Sequence, residues 1–119
     1  MNFVKMQATG NDFILMDARR LKQDWPTLAK NMCARHFGVG ADGLLLVLPS
    51  KVADFYLSMF NPDGTEAEAC GNGLRCAARY AVENGLTKSA EIRIETPAGI
   101  RTVQIKGKTG IQVNMGRPL

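Results

Sequence analysis

The chain has 119 residues, the size of one domain, and its 45% hydrophobic and 22% charged residues make a globular composition without a disordered tail. The net charge of +4 comes from scattered Lys and Arg residues with few aromatic neighbours for base stacking, so no nucleic-acid partner is expected. Apolar stretches are too short to cross a bilayer, no secretory signal opens the chain, and three cysteines do not make a disulfide scaffold. These features predict a cytoplasmic protein that acts on a small molecule and has no membrane partner.

The first half of the chain alternates short apolar runs with polar turns. Asp24, which precedes Trp25 and a proline, predicts the start of a helix that continues at helical spacing to Phe37 and is ended by Gly38. A tight turn is predicted at residues 61–64. Four runs in this half predict strands: residues 3–6, 13–16, 44–48 and 55–60.

The second half begins with a predicted helix over residues 71–84, and Gly85 follows its end. One side of this helix is mostly alanine, with Val82 included, which suits a small helix wrapped by a sheet. Three alternating runs then predict strands: residues 91–95, 99–105 and 110–115. Hairpin-like spacing at both ends of the chain favours an α+β domain over residues 1–119 rather than a parallel doubly wound sheet.

The segment Cys70-Gly71-Asn72-Gly73 carries the clearest chemical signal. If the helix begins at Gly71 or Asn72, Cys70 lies at its cap, where unpaired amides and the helix dipole favour the thiolate. The same amides offer a carboxylate a binding site that the glycines leave accessible. Acid–base or covalent chemistry on a carboxylate-bearing substrate is therefore indicated. The alternative interpretation is that Cys70 packs in the core and the glycines turn the chain.

Other chemistries find little support in the sequence. No metal site is predicted, because His36 is the single histidine and no Cys-x-x-Cys spacing occurs. Cys33 and Cys76 are interpreted as core thiols. A cysteine-based redox protein would need a resolving thiol beside Cys70, and the sequence offers only Cys76, on another face of the helix.

Two kinds of polar loop complete the candidate features. Residues 38–43 match the G-x-G-x-x-G pattern but follow a helix and open a strand, so they predict a glycine-rich turn braced by Asp42. Asn11 and Asn61 lie in turns whose amide groups could hold the ammonium and carboxylate of a substrate. Both asparagines could equally be ordinary turn formers.

Four motifs in register resemble the diaminopimelate epimerase family and cover essentially the whole chain. They are KMQATGNDF at 5–13, RHFGVGADG at 35–43, FNPDGTE at 60–66 and CGNGLRC at 70–76. The resemblance implies cofactor-independent interconversion of LL- and meso-diaminopimelate, on the bacterial route to lysine and peptidoglycan. It also implies two similar halves, each a barrel-like, mostly antiparallel sheet wrapped around a central helix, with the active site between them.

The resemblance carries over to individual residues where the motifs match. Some family members have a substrate-contacting Gln where this chain has Gly43, so no side-chain contact is carried over there. By this resemblance, Cys70 matches the first catalytic cysteine, and Asn11 and Asn61 match substrate-binding asparagines. Gly71 and Asn72 match the backbone cradle that binds the α-carboxylate.

The chain resembles the N-terminal half of the family enzyme, and the second catalytic cysteine belongs to the other half. Inverting a carbon requires a base on one face and an acid on the opposite face, so the chain is expected to be inactive alone and to need its C-terminal half as a partner. Two alternatives stay open: a homodimer that juxtaposes two Cys70 thiols, within the proline racemase-like superfamily, and a domain that binds an amino acid without catalysis.

Overall fold

The computed structural model describes residues 3–8, 10–34, 38, 40–68, 71–86, 90–106 and 110–114. These residues form one eight-stranded sheet and two helices. The strands are β1 Val4–Ala8, β2 Asn11–Asp17, β3 Gly43–Leu48, β4 Phe55–Phe60, β5 Glu66–Ala67, β6 Glu91–Thr96, β7 Gly99–Lys106 and β8 Gly110–Asn114, and the helices are α1 Trp25–Cys33 and α2 Gly71–Glu83.

The sheet has the strand order β1-β2-β3-β4-β6-β7-β8, and β5 pairs with β4. Most neighbouring strands are antiparallel, whereas β2–β3 and β4–β6 are parallel. Each parallel pair requires a crossover connection, which α1 supplies between β2 and β3 and α2 supplies between β4 and β6. The predicted α+β class is confirmed.

Helix α2 is the central element of the domain. It contacts strands at both ends of the sheet order, β1 and β8, as well as β2, β3, β4 and β7, so the sheet curves around it. Small side chains such as Ala77, Ala78 and Ala81 are fully buried and let the strands approach the helix closely. The prediction of a barrel-like, mostly antiparallel sheet around a central helix is confirmed.

The two faces of the sheet carry two separate cores, because alternate side chains of a strand point to opposite sides. On β2, Phe13 and Leu15 belong to the core around α2, and Ile14 and Met16 belong to the core under α1. This explains why residues 13–16 of β2 and residues 44–48 of β3 are continuous apolar runs in the sequence. No helix within the described residues is both long and apolar enough to cross a membrane.

Helix α1 begins as predicted and ends earlier than predicted. Asp24 caps its start and accepts hydrogen bonds from the amide and the hydroxyl of Thr27 at 3.3 and 2.9 Å. The helix ends at Cys33 rather than near Phe37, which lies outside the described residues. The amide of Gly38 turns back to the end of the helix, and a Cβ on this residue would lie 2.1 Å from the carbonyl oxygen of Asn31. The amides of Gly40 and Ala41 donate to the carbonyls of Met32 and Cys33 at 3.0 and 3.3 Å, so the returning chain uses the last carbonyl groups of the helix.

Two further expectations are corrected by the structure. Val82 was predicted on the apolar side of α2 but is 45% exposed, because the buried arc of the helix extends instead toward Gly73 and Cys76. Strand β5 was not predicted, since its two residues are too short to show a periodicity and are held by pairing with the end of β4. The tight turn after β4 and the helix over α2 are confirmed.

Candidate functional site

The candidate site lies at the end of the sheet where β2 and β3 begin and β4 ends. Asn11 is the first residue of β2 and Gly43 is the first residue of β3, and the parallel pairing of these strands puts their starts side by side. Antiparallel pairing of Leu44 with Phe60 brings the end of β4 to the same place, and Asn61 follows directly. The structure thus brings both asparagines to one end of the sheet, although Asn11, which was predicted in a turn, lies in β2 and pairs with Ala8 of β1.

The start of α2 is joined to this end by a direct contact. Nδ2 of Asn72 donates to Oδ1 of Asn11 at 2.9 Å across 61 positions of sequence, and both residues are half-buried. A single bond between two amides leaves one NH₂ group and one carbonyl oxygen for a ligand. Gly73 follows in the buried first turn, where an added Cβ would lie 3.4 Å from Cδ2 of Leu45. The helix start therefore rests directly on the core strands.

The first turn of α2 has the electrostatics that a carboxylate requires. Its first amides have no acceptor within the helix, and they lie at the positive end of the helix dipole. No acidic side chain lies in this turn, so its positive potential is not neutralised locally. Gly71 and Asn72 supply the first two of these amides and are half-buried. A carboxylate is the type of group that this turn can bind.

The cysteines separate into two buried thiols and one candidate. Cys33 and Cys76 are 2% and 3% exposed, which confirms the interpretation of both as core thiols. Cys70 lies outside the described residues, as does His36. In the sequence Cys70 directly precedes Gly71, the first residue of α2, so the predicted helix start is confirmed whereas the environment of the thiol stays a prediction.

Asn61 has a defined turn of its own. Its backbone amide donates to the carbonyl of Thr65 at 2.8 Å, and its Nδ2 donates to Oγ1 of Thr65 at 3.0 Å. The carboxylate of Asp63 accepts from the amide and the hydroxyl of Thr65 at 2.9 and 2.6 Å, which holds the pKa of Asp63 below its usual range. The side chain of Asn61 is therefore oriented by Thr65, and among the described residues it has no bond to Asn11 or Asn72.

A second network surrounds Asp12, which the sequence did not single out. Its backbone amide donates to Oδ2 of Asp42 at 2.8 Å, and the amide of Asp42 donates back to the carbonyl of Asp12 at 2.8 Å. The carboxylate of Asp12 accepts from Nε2 of Gln7 at 2.8 Å and lies 3.7 Å from Nζ of Lys5. The prediction that Asp42 braces its loop is confirmed. The Gly10-Asn11-Asp12 turn was the available signal for Asp12.

Gly43 occupies a tightly filled position. A Cβ added there would lie 3.3 Å from the carbonyl oxygen of Phe60 and 3.4 Å from side-chain atoms of Met59 and Phe13. A longer side chain would therefore have to displace neighbouring atoms. The absence of a side chain at this position agrees with the local packing, and the site has no side-chain contact from Gly43.

Metal ligands and a groove beside α2 are also candidate features of the domain. Within the described part of the chain, no group of three or more His, Cys, Asp or Glu residues could hold a metal ion. A groove of about 560 Å³ runs between β1 and the C-terminal half of α2, where Arg79, Tyr80 and Glu83 line it. The groove is thus separated along α2 from the helix start that carries Asn72.

Comparison with known proteins gives one consistent family. The family profile described as diaminopimelate epimerase matches residues 3–119. The diaminopimelate epimerase of Pelotomaculum thermopropionicum is 50% identical over 99% of this chain, and the one of Methanococcus maripaludis is 44% identical over 100% of it. The chain spans about 45% of the length of each of these relatives.

Solved structures share the fold. A phenazine biosynthesis protein of the PhzF family from Bacillus anthracis has a TM-score of 0.72 and 28% identity, over 93% of this chain and 38% of its own. A hydroxyproline epimerase from Agrobacterium vitis, with bound trans-4-hydroxy-L-proline, has a TM-score of 0.66 and 16% identity, over 88% of this chain and 37% of its own. The second likeness concerns the fold alone.

Proposed function

The chain belongs to the diaminopimelate epimerase family, and on this premise we propose that it is the N-terminal half of an enzyme that interconverts LL- and meso-diaminopimelate without a cofactor. The enzyme would act in the cytoplasm, in the synthesis of lysine and peptidoglycan precursors. The observation that carries the proposal is the hydrogen bond between Asn11 and Asn72, which joins a substrate-binding asparagine of the family to the anion-binding start of α2.

Each site residue has a role in this reaction. The Cys70 thiolate removes the α-proton of the substrate, which leaves the electron pair on the α-carbon next to the carboxylate. The amides of Gly71 and Asn72 hold that carboxylate at the positive end of α2, where the negative charge of the carbanion is also stabilised. Asn11 and Asn61 bind the remaining polar groups of the substrate. A proton delivered to the opposite face then completes the inversion.

The opposite proton donor is proposed to come from the C-terminal half. Inversion needs one thiolate and one thiol on opposite faces of the α-carbon, because a single fixed group would return the proton to its original side. Cys33 and Cys76 cannot fill this role, since each is almost fully buried in a different core of the domain. The chain alone should therefore bind substrate and not epimerise it.

The first experiment measures binding and exchange with the chain alone. Calorimetric titration with LL-diaminopimelate should give binding that Asn72→Ala weakens and Cys70→Ala preserves. Incubation of the wild-type chain with LL-diaminopimelate in deuterated water should give no meso-diaminopimelate, because any proton that Cys70 exchanges returns to the same face of the α-carbon. Substantial epimerisation by the chain alone would contradict the half-enzyme proposal. Sedimentation would then test whether two copies pair through Cys70.

The second experiment supplies the missing half. The chain is fused to the C-terminal part of the Pelotomaculum thermopropionicum epimerase, in place of the corresponding half of that relative. The fusion protein should epimerise LL-diaminopimelate, Cys70→Ala should abolish the activity, and Cys33→Ala, which alters a buried thiol, should keep it. A fusion protein that binds the substrate and never exchanges its α-proton would instead favour a binding domain without catalysis.

A further inference from the structure

Asp12 in β2 and Asp42 before β3, which are 30 positions apart in sequence, are joined at the candidate site by a pair of hydrogen bonds, the Asp12–Asp42 clamp. Oδ2 of Asp42 accepts from the amide of Asp12 at 2.8 Å, and the amide of Asp42 donates to the carbonyl of Asp12 at the same distance. Asp42 thus binds both backbone polar groups of Asp12, one with its side chain and one with its main chain. A hydrogen bond to a carboxylate is shorter and stronger than one between neutral groups.

The clamp restrains Asn11, which directly precedes Asp12. The residue on the other side of Asn11 is Gly10, whose φ is +85° and around which an added Cβ would find open space within 4 Å. This backbone conformation is one that glycine adopts readily. Asn11 is therefore held by its pairing with Ala8 of β1 on one side and by Asp12, whose backbone Asp42 binds, on the other.

Asn11 in turn reaches the start of α2. Its Oδ1 accepts from Nδ2 of Asn72 at 2.9 Å, so three elements meet through one continuous set of contacts. They are Asp42, which directly precedes β3, Asn11, the first residue of β2, and Asn72, the second residue of α2. Asp42 is thus linked to the helix start through the backbone of Asp12 and the side chain of Asn11.

We propose that Asp42 is a positioning residue, which acts through Asp12 to hold the Asn11 amide in register with the carboxylate-binding amides of α2. The inference rests on the proposed function, because it gives that binding site its geometry. It assigns Asp42 a role in substrate affinity that exceeds its role in stability. A merely structural brace would lower stability and leave the Asn11 amide unchanged in the folded protein.

The test compares variants that remove or keep the acceptor. Asp42→Ala removes it, whereas Asp42→Asn keeps an oxygen that can accept from Asp12. Asp17→Ala is the control, because Asp17 is the last residue of β2, the strand that Asn11 begins, and its carboxylate accepts hydrogen bonds from the exposed side chain of Arg19. Asp42→Ala should weaken LL-diaminopimelate binding about tenfold. Asp42→Asn and Asp17→Ala should each stay within about threefold of the wild type.

Nuclear magnetic resonance reads the position of Asn11 without any ligand. In the wild type, a coupling across the hydrogen bond should join the Asp12 amide nitrogen to the Asp42 carboxyl carbon. Asp42→Ala should speed exchange of the Asp12 amide proton about tenfold and shift the side-chain amide resonances of Asn11. The same resonances should stay in place in Asp42→Asn and in Asp17→Ala.

The outcomes separate the two hypotheses. Absence of the coupling between Asp12 and Asp42 in the wild type would overturn the positioning role. Unchanged Asn11 resonances in folded Asp42→Ala would overturn it as well. If Asp42→Ala does not fold, the coupling in the wild type is the measurement that tests the positioning role. Unchanged affinity in Asp42→Ala would overturn it as well. If the wild type binds no diaminopimelate, the proposed function fails, while the resonance data still decide whether Asp42 holds Asn11.

Discussion

The hydrogen bond between Asn11 and Asn72 can be measured by a double-mutant cycle. The variants are Asn11→Ala, Asn72→Ala and the double variant, each compared with the wild type. The bond joins two neutral amides at 2.9 Å, and such a bond contributes about 1 kcal/mol net. Both residues are half-buried, so water reaches part of the broken site and limits the penalty in each single variant. We therefore expect a coupling free energy of about 0.5–1.5 kcal/mol.

Urea unfolding of the four proteins measures this coupling as a difference in the free energy of unfolding. Asn84 supplies the control, because its Nδ2 donates to the carbonyl of Tyr80 at 2.9 Å near the other end of α2. Asn84 and Asn72 are about 18 Å apart along the helix axis. Asn11→Ala combined with Asn84→Ala should therefore be additive within about 0.5 kcal/mol.

Two results would refute the reasoning about this contact. A coupling below about 0.3 kcal/mol between Asn11 and Asn72 would mean that the two side chains contribute independently to stability. A control coupling as large as the tested one would mean that the variants change the whole domain. Equal slopes of unfolding free energy against urea in all variants are required, since a changed slope would indicate a changed denatured or native state.

Two predictions concern turns of the domain, at the end of α2 and after β4. Gly85→Ala should lower the free energy of unfolding by about 1 kcal/mol, because Gly85 has a φ of +67° and an added Cβ would meet no atom. Gly64→Ala should lower it by about 1–3 kcal/mol more, because Gly64 has a φ of +89° and an added Cβ would also lie 2.9 Å from a carbonyl oxygen of α1. If urea unfolding gives the same loss of unfolding free energy for both variants, the steric contact at Gly64 contributes nothing. The Asp63 carboxyl should titrate below its usual pKa by carbon-13 resonance, and Thr65→Val should raise that pKa, because the hydroxyl of Thr65 stabilises the carboxylate. Because the pKa of Asp63 is lower in the folded than in the unfolded protein, this stabilisation is present at neutral pH and is lost as the pH falls below about 4. An unchanged pKa of Asp63 in Thr65→Val would refute the role assigned to the Thr65 hydroxyl.

The sequence by itself determined the elements and the family. Apolar runs and alternation predict β2 to β4, β6, β7 and β8, because burial against a sheet selects residues at a period that is visible locally. Asp24 before a proline predicts the start of α1, since the cap needs only neighbouring residues. The motifs around Asn11, Asn61 and Gly71 identify the family, and the structure brings these residues to one end of the sheet.

The tertiary structure alone decided which elements end early and which residues meet. Helix α1 stops at Cys33 because the returning loop uses its last carbonyl groups, and Val82 is exposed because the sheet curves around another side of α2. The bonds from Asn72 to Asn11 and from Asp12 to Asp42 join positions that are far apart in sequence. Such contacts depend on strand order and register, which local periodicity does not contain, because every strand alternates in the same way whichever neighbour it pairs with.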